Sequence, residues 1–138
     1  MKRKLWGGRF TKRTDPFVEH FTSSIRVDYR LARYDVLGSI AHAKMLGRCR
    51  IIPRADSVRL VKGLQRLLKS NRAVDFAAED IHTSVQQALE RLIGPVARTL
   101  HTARSRNDQV SLDLRLYCRH EVDNLVAGIR ALQQALVN

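Results

Sequence analysis

Cysteine is scarce in this 138-residue chain: Cys49 and Cys118 are the only two, too few for a disulfide framework. Neither sits in a C-x-x-C or Cys/His ligand spacing, so both read as reduced thiols of a cytoplasmic protein, with no metal and no cofactor expected. Nothing approaches the run of about 18 apolar residues that spans a bilayer, which argues against a membrane partner. The opening MKRKLWGGRF carries basic residues without an apolar stretch behind them, which is not the pattern of a secretory signal. A glycine-rich phosphate loop, an internal repeat and a low-complexity linker are all lacking. β-alternation is also absent, apart from a short extended piece expected around Leu5 to Phe10.

What is there is mostly helical spacing in a chain about one domain long, with 44% hydrophobic residues, the composition of a globular chain. The net charge of +12 raises nucleic acid as a partner. The basic residues are scattered, however, with no run longer than three and no interleaved aromatics. They read as solvated helix faces, and nucleic acid is not the expected partner.

Thr14-Asp15-Pro16 has a capping residue followed by proline, a helix start. Ser23 and Ser24 interrupt that helix, and Asp28 is expected to open a longer one through Gly47, with Leu37, Ile40, Ala41 and Met45 on one face. Pro53 breaks the chain, Asp56 or Ser57 can cap the next helix, and Leu60, Leu64, Leu67 and Leu68 form an amphipathic stripe. Glu79-Asp80 begins a helix carrying Ile81, Val85, Leu89 and Leu92, which Gly94-Pro95 stops. From about Asp108 the pattern runs unbroken except for Gly128. Cys118, Val122, Leu125, Ile129, Leu132 and Leu136 form a seam of the kind that packs on other long helices. Such a helix, about 45 Å long, is expected to dock in an oligomer or to belong to something larger.

Three helix beginnings hold unusually polar groups. HTARSRNDQV, positions 101 to 110, sets Arg104, Arg106, Asn107 and Asp108 where unpaired N–H groups favour an anion. A guanidinium can grip a carboxylate with two parallel bonds, and an amide can donate and accept at once. Asp108 can cap the helix, and solvated arginines beside a cap are the plainer reading. TSSIRVD supplies Ser24 and Asp28, which can cap or can bind a ligand. EDIHTS supplies Asp80 and His82; a lone histidine there can equally be a surface residue. Taken together, the three sets suit a small zwitterion with several carboxylates.

At these residues the sequence resembles the argininosuccinate lyases of the fumarase/aspartase superfamily. KLWGGRF, SSIRVDYRL, DVLGSIAHAKML, EDIHTSV and LHTARSRNDQVSLDLRLYCR carry the resemblance in order and spacing. It implies an all-α fold: an N-terminal helical domain over residues 1–107, then the start of a long central-bundle helix over 108–138, in a homotetramer. It also implies reversible β-elimination of argininosuccinate to arginine and fumarate, a step of arginine biosynthesis and the urea cycle. By the same resemblance Ser24, Asp28, Asp80, His82, Arg106 and Asn107 are substrate-binding. No catalytic residue is expected in these 138 residues, because neither the threonine-histidine segment nor the serine-loop pattern occurs in them. The chain alone is therefore expected to be inactive. The alternative is a non-catalytic helical module whose basic surface meets nucleic acid or a longer lyase chain. Two departures stand out: Ala103 where the family commonly has Gly, and Gln86 where it commonly has Glu, which removes a charge from the helix face of His82.

Overall fold

The computed structural model describes residues 14–70 and 73–137. Six α-helices run in order, with no strand among the described residues: α1 Pro16–Thr22, α2 Ile25–Asp28, α3 Ala32–Arg48, α4 Arg54–Ser70, α5 Ile81–Ile93 and α6 Arg106–Val137. Short 3₁₀ segments, Tyr29–Leu31 and Gly94–His101, precede α3 and follow α5. The extended piece expected around Leu5 to Phe10 lies outside the described residues.

The core forms where α3, α4 and α5 pack together. Leu60, Leu64 and Leu67 of α4 meet Ile81, Val85 and Leu89 of α5, as their spacing requires, with Leu68 partly buried and Leu92 at the edge. Each fully buried leucine contributes roughly 1.5–3 kcal/mol over an exposed one. Gly63 permits the close approach: a Cβ there would stand 2.8 Å from Leu89 Cδ1. Asp80 caps α5 by accepting from Thr83 N–H at 2.6 Å, and Gly94 ends that helix at φ 74°. Asp15 caps α1 through Phe17 N–H at 2.7 Å, with Pro16 at its first position.

Three local expectations are corrected. Asp28 does not open a long helix; it ends α2, and Ala32 begins α3. The inward face of α3 is Asp35, Val36, Ser39, Ala43 and Leu46, whereas Leu37, Ala41 and Met45 are exposed and Ile40 is half-buried. Asp35 and Ser39 find polar partners, so a stripe that includes polar residues wins over the purely apolar one. Asp56 and Ser57 lie inside α4 rather than before it; the Ser57 hydroxyl donates to Ala43 O of α3 at 2.8 Å, tying the two helices together.

Two non-glycine residues adopt positive φ. Arg50, at 56°, ends α3 in a Schellman arrangement: its N–H donates to Gly47 O, and Ile51 N–H donates to Leu46 O. Ala103, at 55°, is the third residue of a type II turn, closed by Arg104 N–H on His101 O at 3.2 Å. Thr102 before it has the matching φ −55° and ψ 127°. The departure noted at Ala103 therefore falls on backbone that favours glycine.

α6 starts two residues earlier than its apolar pattern suggests. Ser105 accepts Asn107 N–H on its hydroxyl while Asp108 accepts Ser105 N–H, a reciprocal cap that fixes the helix start. Only Gln109 and Asp113 of its 32 residues are buried. The seam residues Val122, Leu125, Ile129, Leu132 and Leu136 are exposed. No described helix is long and apolar enough to cross a membrane.

Candidate functional site

The short α2 and the start of α5 are stitched together by backbone and side chain. Ser24 N–H donates to Glu79 O at 2.9 Å, and the Ser23 hydroxyl donates to the same carbonyl at 3.0 Å. This brings Asp28 to the head of α5, where its Oδ1 accepts Ile81 N–H at 3.2 Å. The Ser24 hydroxyl does not cap α2; it donates to Asp28 Oδ2 at 2.6 Å. Asp28 thus serves as a cap, but for a helix more than 50 residues along the chain.

Arg106, the first residue of α6, reaches the same helix start. Its Nε lies 3.8 Å from Asp80 Oδ2, and one of its terminal nitrogens meets the Thr83 hydroxyl at 3.5 Å. Its other terminal nitrogen, Nη1, is buried and has no protein partner. Burial raises the Asp28 carboxyl above its usual range; the Ser24 and Ile81 hydrogen bonds oppose this, Asp80 adds to it, and Arg106 opposes it. Four of the expected residues, Ser24, Asp28, Asp80 and Arg106, are therefore neighbours. They come from the two ends of the short α2 and from the starts of α5 and α6, and present hydroxyl, carboxylate and guanidinium groups together.

The other two stand apart. Asn107 is exposed at the next position of α6; its backbone N–H is used by the cap, and no hydrogen bond joins its amide to the four. His82 turns inward. Its ring is 3% exposed, and Nδ1 lies 3.4 Å from Asp35 Oδ2 and 3.5 Å from Asp113 Oδ2. A buried network surrounds it: Gln109 donates to Asp35 Oδ1, the Ser39 hydroxyl donates to the same oxygen at 3.2 Å, and Arg104 donates to Ser39 at 3.0 Å.

Sequence reasoning missed Asp35, Gln109 and Asp113. The signal was a pair of polar residues four apart on each of two helices, Asp35 with Ser39 and Gln109 with Asp113, a spacing that puts both on one face. Gln86 also proves to be structural, because its amide is buried and donates to Ala97 O at 3.1 Å. A carboxylate at that position would have no proton to give.

A separate hollow of about 230 Å³ lies between α3 and α6, lined by His42, Met45, Arg104, Leu112 and Asp113 among others. It touches none of the four clustered residues. The hollow and the cluster of four thus mark different places for a ligand. Convergence is the better guide, because ligand orientation is set by placed polar groups, and three independent chain segments supply them here.

The chain also matches known proteins. A model of the family described as "Lyase" matches residues 8–138. The chain is similar to the argininosuccinate lyase of Pelotomaculum thermopropionicum, at 51% identity over 98% of the chain and 30% of that relative. It is similar to that of Pelobacter propionicus at 51% identity over 99% of the chain and 31% of the relative. For that of Psychrobacter arcticus the identity is 46%, over 97% of the chain and 30% of the relative. The chain spans about three tenths of the length of the curated relatives it matches. Its all-helical architecture, and a family match running from residue 8 to residue 138, make this chain a member of the lyase family.

Proposed function

We propose that the chain carries the N-terminal share of an argininosuccinate lyase site, acting in β-elimination of argininosuccinate to arginine and fumarate. The observation that carries this reading is the meeting of Ser24, Asp28, Asp80 and Arg106 at the start of α5. The part-exposed guanidinium of Arg106 is suited to a ligand carboxylate, and Asp28 and Asp80 are suited to an amino or guanidinium group. In an elimination beside a carboxylate, negative charge grows on that carboxylate as the proton leaves. A guanidinium aimed at it stabilises the transition state more than the ground state. Asn107 is exposed next to Arg106 and would add an amide to the same grip once ligand is bound. His82 acts from behind the group.

The proposal includes the division near residue 107, between a helical body and the start of a bundle helix. It also includes docking of the Val122–Leu136 seam against like chains in a homotetramer. These 138 residues alone would not turn over, since the segments expected to supply the acid and base are not among them.

The test is a chimera in which this chain replaces the matching part of one of the 50%-identical relatives. The expected result is a soluble tetramer that releases fumarate from argininosuccinate, followed by absorbance at about 240 nm, a band of the fumarate double bond. A chimera that assembles but does not turn over would overturn the reading. Turnover by the 138-residue chain alone would overturn its second part.

A further inference from the structure

Asp35, His82 and Asp113 come from α3, α5 and α6, and their ligand-type atoms all lie within 4.8 Å of one another. All three side chains are at least nine-tenths buried. Asp35 Oδ2, His82 Nδ1 and both carboxylate oxygens of Asp113 lack a hydrogen-bond partner of ordinary length. Two buried carboxylates this close cannot both stay ionised cheaply, so the arrangement calls for a positive charge or a proton between them.

The charges facing the trio decide between these. Arg104 from the turn before α6 and Arg106 from α6 both act on Asp35 and Asp113; His101, from the 3₁₀ segment, also feels Asp35. Two guanidinium groups already offset two carboxylates. A divalent cation would add two further charges to a buried site, and a proton adds one. The Nδ1 distances of 3.4 and 3.5 Å are nearly equal, which suits one hydrogen straddling two acceptors.

We propose that Asp35 and Asp113 are positioning residues for His82: the Nδ1–H of the neutral ring is shared between the two carboxyl groups while Asp113 keeps one further proton, which fixes the ring behind the Asp80–Arg106 pair. This rests on the lyase reading only for its consequence in catalysis; the shared proton stands on the geometry. Burial and the neighbouring Asp35 push the Asp113 carboxyl up to about 8, with Arg104 and Arg106 opposing, in line with a proton retained at neutral pH. The helix carrying His82 is thereby locked to the helix carrying Arg106.

The experiment is nitrogen-15 imidazole NMR of the whole 138-residue chain, titrated without ligand. The expected spectrum shows His82 in one state, with a slowly exchanging proton on Nδ1, from about pH 5 to about pH 8 and no transition near the ordinary histidine value of about 6.5. Asp113→Asn should restore a titration near that value and admit both tautomers, and Asp35→Asn should do so more weakly. If either variant fails to fold, the parent spectrum alone still decides. A His82 that titrates as a free imidazole would overturn the proposal. So would a stoichiometric shift of the His82 signals on adding zinc, which would make the trio a metal site. The spectrum needs no substrate, so its failure leaves the lyase reading standing, and an inactive chimera leaves the shared proton standing.

Discussion

Two polar groups sit on either side of the first turn of α5, and both draw on serine, aspartate and arginine. On the outer side Ser24, Asp28, Asp80 and Arg106 are part-exposed, and the Arg106 head group keeps a nitrogen without a partner. On the inner side Asp35, His82 and Asp113 are sealed; Gln109 and Ser39 donate to Asp35, and Arg104 and Arg106 offset the two carboxylates. Asp80 and His82 are two residues apart in sequence, yet they belong to different groups. Asp80 stands outside the helix as its cap, in extended backbone, whereas His82 lies in the first turn, so neighbours in a motif can face opposite environments. Exposure rather than residue type divides the work: the outer set is free to meet a ligand, and the inner set fixes the helices that carry it.

The largest expected effect falls on the outer set. Arg106→Ala in the chimera should lower kcat/KM by about a hundredfold or more, the scale for losing one donor to a developing oxyanion. Thermal unfolding of the same variant should fall far less than activity does, because the lost contacts, at 3.5 and 3.8 Å, are long and Arg104 still faces the two buried carboxylates. Equal losses of activity and stability would erase the distinction between the two sets.

Next comes a change at the edge of the inner region. Gln86→Glu removes the proton donated to Ala97 O and places a carboxylate where the side chain is buried. A cost of roughly 1–3 kcal/mol is expected from the unsatisfied group, read by urea denaturation, and it should shrink as acid protonates the new carboxyl.

The inner set should also give stability an unusual pH dependence. Asp113 holds its proton in the folded chain up to about 8, while an unfolded aspartate loses it near the ordinary 3.8. The native state therefore binds more protons across that window, and this group's contribution is present at low pH and lost as pH rises through about 8. Asp113→Asn should remove this part of the slope, visible as a smaller fall in Tm between acid and mildly alkaline buffer. Asp80→Asn, in the outer set, should leave the Asp113 part of the slope in place, since Asp80 acts on Asp28 and not on Asp113.

The smallest effect is a gain. Ala103→Gly relieves the positive φ of the turn that leads into Arg104 and should stabilise the chain by about 1 kcal/mol, or a few degrees in Tm. No gain would mean that the entropy glycine adds to the unfolded chain cancels the relief.

How much of this the sequence showed follows from the same division. The leucines of α4 and the Ile81–Val85–Leu89 face of α5 were legible because their spacing and their burial coincide. The caps at Asp15 and Asp80 were legible because capping is local. Asp28 was misread as a helix opener for the opposite reason: the N–H it accepts belongs to Ile81, far along the chain. The buried face of α3 was missed because Asp35 and Ser39 interrupt an apolar stripe, and only Gln109 and Arg104 make their burial tolerable. Of the expected site, Ser24, Asp28, Asp80 and Arg106 do converge. The inward turn of His82 depended on two carboxylates from other helices, which no local pattern announces.

The most direct test of the outer group as a dicarboxylate site is a fumarate titration of the chimera, followed by calorimetry, with and without Arg106→Ala. Saturable binding by the parent, abolished in a variant that still folds and assembles, is the predicted result. Equal fumarate affinity in both proteins would contradict it.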